Sequence, residues 1–271
     1  MLQPKGCIGL IGGGQMAEAL IRGMLAANVT KKEQLVVIDP DPDRKKYLHD
    51  TYGIIACDTP LDICQKSTTL ILAVKPQVCK HVLDQYVQYL TSNHLLISIL
   101  AGVTIGELES ILPNQSRIVR VMPNTPALVL AGASAISLNA AATETDRTLS
   151  LSIFSAIGLC IEVQETQLDA VTGLSGSGPG YIFTIIDGLI DGGVLAGLPR
   201  TTAEQLVLQT VYGSAKLAME SDNNPAALKA QVTSPGGTTI KGIQLLEQRG
   251  IRSALMDAVL AATNRSKELG E

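Results

Sequence analysis

The chain has 271 residues, 46% of them hydrophobic, and a formal net charge of −4. This is enough apolar material for about two domains with real cores, on a prior of roughly 150 residues each. The chain contains no Trp and only two Phe, so it offers neither the basic surface nor the stacking aromatic side chains that nucleic-acid binding requires. We therefore do not expect nucleic acid as a partner.

The sequence gives no sign of membrane association or of disulfide bonding. No apolar run reaches the roughly 18 residues of a membrane span, and the N-terminal MLQPKG is followed by too few apolar residues for a signal-peptide core. We expect a cytoplasmic protein with no membrane partner. The five cysteines are odd in number and none is spaced C-x-x-C, which favours reduced, mostly buried thiols and predicts no metal site.

The first part of the chain alternates between short β-rich runs and segments with helical periodicity. Strands are predicted over residues 7–11, 35–38, 69–74, 95–100 and 117–122, and two further β-like runs cover residues 133–138 and 159–163. Helices are predicted between some of these strands, over residues 17–27, 78–90, 104–112 and 146–156. This alternation predicts a parallel sheet with helices on both faces.

From Leu168 onward the pattern is helical throughout, so a domain boundary is expected near residues 163–167. Helices are predicted over residues 181–198, 202–219, 225–232, 238–248 and 252–269. The first of these is almost uniformly apolar, and a small helical domain cannot easily cover such a helix alone. We therefore expect a second subunit to cover it.

The segment GLIGGGQMAEAL, at residues 9–20, directly follows the first strand and opens the first helix. Gly12, Gly14 and Ala17 fall on the dinucleotide-binding pattern G-x-G-x-x-G/A, which allows a tight turn, a close pyrophosphate and a close helix. A glycine-rich turn without a ligand is the alternative, but the position, the flanks and an acidic residue downstream favour a Rossmann domain. The cofactor-binding residues predicted here are Ile11, Gly12, Gly13, Gly14, Gln15 and Met16.

Asp39 is the acidic residue, and it comes at the end of the second strand. A carboxylate there accepts hydrogen bonds from the adenosine ribose hydroxyls. A 2′-phosphate in the same place, at roughly 4 Å, would be repelled by about 4 kcal/mol per unit charge at an effective dielectric of about 20. Arg44, Lys45 and Lys46 could offset part of this repulsion. The expected cofactor is NADPH or NADH, and Asp39 favours NADH.

Two other strand ends carry residues suited to the ligand-binding edge of an open α/β sheet. The segment LAVKPQ, at residues 72–77, contributes the predicted cofactor-binding residues Ala73, Val74, Lys75 and Pro76, and the proline is expected to stop the strand. The segment MPNTP, at 122–126, is expected to expose Asn124 and Thr125 for a nicotinamide or substrate contact, although a plain strand terminator is the alternative. Residues 173–180, GLSGSGPG, could simply let two helices cross closely.

The run VTSPGGTT, at residues 232–239, is interpreted as a helix start that holds an anion. Ser234 suits the N-cap, Pro235 suits the first helical position, and Gly236 and Gly237 leave the next N–H groups uncovered. A bare helix N-terminus attracts negative charge. An ordinary capped helix is the alternative.

Together these segments resemble the pyrroline-5-carboxylate reductase family. GLIGGGQMAEAL, LAVKP, RVMPNTP, DAVTGLSGSGPGYIF, VTSPGGTT and the tail at 245–269 occur in the family's order and spacing, over nearly the whole chain. The resemblance implies reduction of 1-pyrroline-5-carboxylate to L-proline with NAD(P)H, the last step of proline biosynthesis. It also implies an N-terminal Rossmann domain, residues 1–164, and an all-helical substrate-binding and dimerisation domain, residues 165–271. Homodimers would assemble into a larger ring such as a decamer.

The resemblance also implies roles for single residues. The SPGG turn would bind the substrate carboxylate through its backbone, and a threonine at its end would contact the ring nitrogen. The substrate-binding residues are then Ser234, Gly236, Gly237, Thr238 and Thr239, with Ser234 and Thr239 also assigned to catalysis. Two departures weaken the case for NADPH. Asp39-Pro40 stands where the family often has Ser or Asn followed by Arg, and Pro60 stands where it commonly has an asparagine near the adenosine.

Two alternatives remain on the sequence alone. One is a different reductase of similar layout, such as a 3-hydroxyacid dehydrogenase, a ketopantoate reductase or a broader imine reductase. These typically use a lysine of the helical domain as acid, but Lys216, Lys229 and Lys241 lie in no motif that singles one out. The other is a non-catalytic dinucleotide sensor, which would keep the glycine turn without needing the turn at 232–239.

Overall fold

The computed structural model describes residues 6–270 of the chain. Residues 1–5, which belong to the N-terminal segment in which no signal peptide is expected, and residue 271 lie outside the described residues. Residues 6–177 and 260–270 form one compact unit, and residues 178–259 form a second. Within residues 6–270, no helix combines the length and apolar composition that a membrane crossing needs.

In the described residues, the first unit is built on a single sheet. Its strands are β1 (Cys7–Ile11), β2 (Leu35–Ile38), β3 (Ile55–Ala56), β4 (Ser67–Leu72), β5 (Leu95–Ser98), β6 (Arg117–Met122), β7 (Gly132–Leu138) and β8 (Gly158–Glu162). The strand order is β3-β2-β1-β4-β5-β6-β7-β8. Neighbouring strands are parallel except β6 and β7. The predicted parallel sheet is confirmed for β1, β2, β4, β5 and β6. The further predicted run that forms β7 is antiparallel to β6, because the connection 123–131 holds only a 3₁₀ turn and is too short for a parallel crossover.

Helices alternate with these strands, as predicted, although no helix was predicted over residues 42–52 or 60–66. They are α1 (Gln15–Ala26), α2 (Pro42–Tyr52), α3 (Pro60–Lys66), α4 (Cys79–Tyr86), α5 (Ile105–Ile111), α6 (Glu144–Ser155) and α7 (Leu168–Val171), followed by a π-helix (Thr172–Gly176). Two predicted strands run too far, since β4 ends at Leu72 and β5 at Ser98.

The central strands bury side chains on both faces of the sheet. In β4, Leu70 packs in one apolar cluster with Ile63 of α3, whereas Ile71 packs in the other with Leu20 of α1. Burial on both faces explains why these strands read as continuous apolar runs in the sequence.

The second unit contains helices α8 (Gly178–Leu195), α9 (Arg200–Glu220), α10 (Pro225–Gln231), α11 (Thr238–Gln248) and the beginning of α12 (Ile251–Leu269). The helices α8 and α9 lie close together, since a Cβ on Gly193 would come within 2.9 Å of the Ala203 Cβ. Much of their apolar surface is uncovered in the single chain: Phe183 is 63% exposed and Leu195 is 90% exposed. Such a surface is typical of an interaction interface.

Candidate active site

The glycine turn lies at the carboxyl end of β1, between β2 and β4, where the order of the strands reverses. Open α/β sheets bind ligands at this point. The Gly12 N–H donates to Ile38 O and the Ala73 N–H donates to Ile11 O, both at 2.8 Å, so three strand ends are joined. Gly12 has φ +97°, and a Cβ there would come within 2.6 Å of Ala73 O. Position 12 therefore requires glycine.

The helix α1 starts directly after this turn, with Gly14 as its N-cap and no capping side chain. Gly14 and Gln15 are exposed, and a Cβ on Gly14 would meet no atom within 4 Å. Ala17, 1% exposed, lets α1 pack closely on the sheet. Open space above uncapped N–H groups fits the pyrophosphate of a dinucleotide, which this turn and the first residues of α1 would hold.

Asp39 lies beside the glycine turn. Its Oδ2 accepts a hydrogen bond from the Gly13 N–H at 2.7 Å, and its Oδ1 accepts one from the Asp41 N–H at 2.9 Å. A carboxylate can accept about four hydrogen bonds, so capacity remains for ribose hydroxyls. The structure thus brings Asp39 and the predicted glycine turn together.

A polar cluster of Glu18, Arg44, Tyr47 and Tyr52 lies next to Asp39. Arg44 is paired with Glu18, donates to carbonyl oxygens of the glycine turn, and lies 5.1 Å from the centre of the Tyr47 ring. The Tyr47 and Tyr52 hydroxyls donate to Glu18 Oε1 at 3.0 and 2.9 Å. Partial burial raises the pKa of Glu18. Hydrogen bonds from Arg44, Tyr52 and Tyr47 to its carboxylate outweigh this effect and hold that pKa below its usual value. Burial and the bond to Glu18 raise the pKa of Tyr52 to about 12.

Sequence reasoning did not assign Glu18, Tyr47 or Tyr52. The available signal was the position of Glu18 in the first turn of the helix that follows the glycine motif. An acidic residue at a helix start is ordinarily explained by its favourable interaction with the helix dipole. That explanation gives no reason to expect a pair with a distant arginine.

The residues predicted from LAVKP follow β4, which neighbours β1 in the sheet. They therefore lie at the same edge as the glycine turn, and Lys75 is exposed there. Pro76 does not end the strand as expected. The strand already ends at Leu72, and Pro76 begins a short 3₁₀ helix, Pro76–Val78, because its fixed φ suits a first helical position.

Asn124 follows β6, but its side chain is used inside the first unit. Its Oδ1 accepts from the Ala133 N–H at 2.8 Å, and its Nδ2 donates to Ser175 O at 3.0 Å. The expected exposure of Asn124 is therefore wrong, because the amide joins β7 to the π-helix; the neighbouring Thr125 is exposed. The contact of Asn124 with the cofactor stays a prediction.

The GLSGSGPG segment forms most of the π-helix and the start of α8. A Cβ on Gly176 would come within 2.6 Å of the Met122 side chain, so glycine there lets the π-helix approach the end of β6. Single π turns are frequent at functional sites.

The turn at 232–239 differs in one respect from its predicted form. Ser234 and Pro235 are not the N-cap and first residue of α11; Gly237 is the N-cap and the helix begins at Thr238. The reason is that Gly236, with φ +70°, follows Pro235 in a turn closed by the Gly237 N–H donating to Ser234 O at 3.1 Å. Proline followed by a glycine of positive φ is typical of a type II turn, which a helix cannot contain.

This corrected start leaves the N-terminus of α11 more open than predicted. Gly237 has no side chain with which to cap the helix, and no other side chain caps it. The Ser234 hydroxyl lies directly against Gly237, and Ser234, Gly236, Thr238 and Thr239 are all exposed in the single chain. A hydroxyl beside uncapped N–H groups is suited to a carboxylate.

The thiols follow the prediction for reduced cysteines. All five are free, and Cys57, Cys64 and Cys79 are buried. Burial raises the pKa of Cys64 to about 11 and that of Cys160 to about 12, which makes them unreactive near neutrality. Among residues 6–270, no group of three or more His, Cys, Asp or Glu side chains could hold a metal ion.

Comparison with known proteins identifies the family. A family model described as pyrroline-5-carboxylate reductase dimerisation matches residues 165–269, and one described as NADP oxidoreductase, coenzyme F420-dependent, matches residues 7–102. Pyrroline-5-carboxylate reductase of Synechocystis is 46% identical over 264 residues, which cover 97% of this chain and 98% of that protein. The chain belongs to the pyrroline-5-carboxylate reductase family.

Solved structures of pyrroline-5-carboxylate reductases share the fold. The structure from Coxiella burnetii has 37% identity and a TM-score of 0.93, covering 98% of this chain and 99% of that one. The structure from Plasmodium falciparum, with NADP bound, has 36% identity and a TM-score of 0.89, covering both chains fully.

The family assignment confirms the main predictions for this reductase. It has a Rossmann domain followed by a helical dimerisation domain, it is an NAD(P)H-dependent pyrroline-5-carboxylate reductase, and it forms an oligomer. The other reductase classes and the non-catalytic sensor are thereby set aside.

Proposed function

We propose that this reductase binds the carboxylate of 1-pyrroline-5-carboxylate at the turn Ser234–Gly237 and at the first N–H groups of α11. The observation that supports the proposal most strongly is the N-cap: Gly237 leaves the helix uncapped, and the Ser234 hydroxyl lies against it. The partial positive charge of a helix N-terminus and a neutral hydroxyl donor together suit one carboxylate. In this arrangement Gly236 contributes its backbone and Ser234 its side chain. Gly237 contributes an N-cap without a side chain, since its own N–H donates to Ser234 O.

The chemistry of an imine places the next requirement at its nitrogen. The carbon accepts hydride readily only when the nitrogen is protonated or strongly hydrogen-bonded, and conversion of the imine to the neutral amine adds one proton to the nitrogen. Reduced nicotinamide supplies the hydride when it is bound. Thr239 lies in the first turn of α11 with an exposed side chain, and we assign its hydroxyl, together with water, to the ring nitrogen.

Alignment would account for most of the acceleration. Fixing the carboxylate at the turn and the nitrogen at Thr239 defines where the acceptor carbon lies. Proximity of this kind contributes up to roughly 7–11 kcal/mol in ideal systems. In the first unit, the residues of the glycine turn, Asp39 and Ala73–Pro76 would hold the dinucleotide; Asn124 would act mainly through the contacts that it makes with β7 and the π-helix.

The activity is tested by mixing the purified protein with 1-pyrroline-5-carboxylate and NADH or NADPH and following the absorbance of the reduced cofactor. Oxidation of at least one cofactor is expected, and no oxidation of either would overturn the function. Thr239→Val should lower kcat about 10- to 100-fold, the equivalent of one hydrogen bond of about 1.5–3 kcal/mol. Thr239→Ser, which keeps the hydroxyl, should recover most of that rate, and neither variant should change the Kd of the dinucleotide. Equal rates for the two variants would remove Thr239 from the mechanism.

We also propose that homodimers assemble into a larger ring such as a decamer, that the enzyme is cytoplasmic, and that the functional domain boundary is at residues 164/165. The boundary is supported by the dimerisation model, which starts at residue 165, although the first compact unit runs to residue 177 and includes residues 260–270. The ring rests on the resemblance alone. A mass measurement in solution tests it, and a dimer that does not associate further would contradict it.

A further inference from the structure

Three cations follow Asp39 in the sequence, and each of them is paired with a carboxylate. Arg44 is paired with Glu18, Lys45 with Asp58, and Lys46 with Asp50. They are the first cations after Asp39 in the sequence, and a free one beside Asp39 could attract the 2′-phosphate that distinguishes NADPH from NADH. Their availability therefore bears directly on cofactor preference.

The three pairs differ in how firmly they are held. The pair of Lys46 and Asp50 is exposed, with 73% and 54% of the side chains accessible, and water competes for it. In the pair of Lys45 and Asp58, the aspartate side chain is 82% accessible. The pair of Arg44 and Glu18 is the most enclosed of the three, with 24% of each side chain accessible.

Arg44 is also held by the glycine turn itself. Its Nε–H donates to Gly13 O, and Nη2 donates both to Gly14 O, at 3.3 Å, and to Glu18 Oε2. The Nε–H and both N–H groups of Nη2 are thereby engaged, so neither two-donor edge of the guanidinium is free, and an arginine binds phosphate best through such an edge. Tyr47 and Tyr52 hold Glu18 in turn, since both hydroxyls donate to its Oε1.

We propose that Glu18 determines the cofactor preference of this reductase: it holds Arg44 against the glycine turn, so that Arg44 does not serve a 2′-phosphate and NADH is preferred. Asp39 also contributes, because it presents a carboxylate to the ribose. The preference depends in addition on Arg44, which Glu18 keeps from binding a 2′-phosphate. The inference rests on the function proposed above, and the experiment below separates the failure of one from the failure of the other.

Binding measured without turnover gives the first readout. The probes are 5′-AMP and 2′,5′-ADP, which differ only in the 2′-phosphate, and their Kd values are measured by calorimetry on the full-length oligomer. The wild type should bind 5′-AMP about 10-fold more tightly. Glu18→Gln, which removes the charge but keeps the shape, should reduce that ratio about 10-fold. Asp50→Asn is the matched control, since it removes the same charge from an exposed pair on α2, and it should leave the ratio within about twofold.

The ratio of kcat/KM for NADH to that for NADPH gives the second readout. It should exceed about 10 in the wild type and fall about 10-fold in Glu18→Gln. Arg44→Gln should change the wild-type ratio little, but in the Glu18→Gln background it should restore the wild-type ratio. Each readout is a ratio of two values measured on the same variant, so a smaller folded fraction of Glu18→Gln cancels from it. A ratio that stays low in the double variant would show that Arg44 is not the cation that Glu18 holds back.

Three results would overturn the proposal. They are a wild type that prefers NADPH, a Glu18→Gln variant that weakens both probes equally, as a purely structural role would, and an Asp50→Asn variant with the same effect as Glu18→Gln. A protein that binds both probes but oxidises neither cofactor would instead refute the reductase function.

Discussion

The Ser234 hydroxyl occupies the space that a side chain on residue 237 would need, because a Cβ built on Gly237 overlaps Ser234 Oγ. The Gly237 N–H also donates to Ser234 O at 3.1 Å, which closes the turn. Ser or Asp at the N-cap would stabilise α11 by roughly a few tenths of a kcal/mol more than glycine does, but its side chain would take the N–H groups that a bound carboxylate requires. Glycine at this N-cap is therefore consistent with binding rather than with helix stability.

Gly237→Ala is expected to raise the KM for 1-pyrroline-5-carboxylate at least about 10-fold, because the new methyl group displaces the Ser234 hydroxyl and costs about one hydrogen bond to a charged group. The Kd of the dinucleotide should not change. Gly242→Ala is the control in the same helix, where a Cβ would meet no atom within 4 Å. Steady-state kinetics at verified oligomeric mass measure both variants. An equal KM in the two would show that the hydroxyl does not bind substrate.

Gly12 and Gly14 should respond differently to alanine although both belong to the glycine turn. Gly12→Ala forces a Cβ at φ +97° towards Ala73 O, and it should destabilise the fold by about 1–3 kcal/mol. Gly14 has φ −64° and open space around it, so Gly14→Ala should change stability by no more than about 0.5 kcal/mol. Its methyl group should nevertheless weaken dinucleotide binding at least about 10-fold, because it lies where the pyrophosphate approaches. Urea unfolding and calorimetry test the pair; the same stability loss in both variants would contradict this distinction.

The sequence predicted the longer elements whose apolar residues are periodic, and it missed elements that are short or held mainly by polar contacts. The helix α2 illustrates the second kind. Asp41 caps it by accepting from the Asp43 and Arg44 N–H groups, and Gly53, with φ +67°, ends it. Only Leu48 in α2 is buried, so the helix has no apolar stripe for a periodicity argument to find.

The direction of a strand is also not encoded in its own pattern. The side chains of β7 point alternately to the two faces of the sheet, and they do so whether β7 runs parallel or antiparallel to β6. Its direction follows from the length of the connection before it, because the residues after Met122 form a 3₁₀ turn and not a crossover helix.

The candidate site was predictable where backbone geometry determines it, and less so where distant side chains do. Gly12 can be recognised from the sequence, because its turn requires a positive φ that glycine adopts without strain. By contrast, Glu18 and Arg44 are separated by 26 positions, and nothing local to either one indicates the other. Asn124 was placed correctly at a strand end, but its two partners come from β7 and from the π-helix, 9 and 51 positions away.

The hydrogen bonds of Asn124 lead to a last prediction, in which stability is the main readout. Asn124→Ala leaves the Ala133 N–H and the Ser175 carbonyl without their partner, and it should destabilise the protein by about 1–3 kcal/mol. Thr125→Ala, at the exposed neighbouring position, is the control and should cost no more than about 0.5 kcal/mol.

Asn124→Asp keeps the acceptor for Ala133 but sets a carboxylate against the Ser175 carbonyl, so it should be destabilised at pH 7. Relative to the wild type at each pH, that variant should regain stability below about pH 4, where the protonated carboxyl can again donate. Urea unfolding at both pH values measures the series, and equal losses for Asn124→Ala and Thr125→Ala would show that the amide does not support the π-helix.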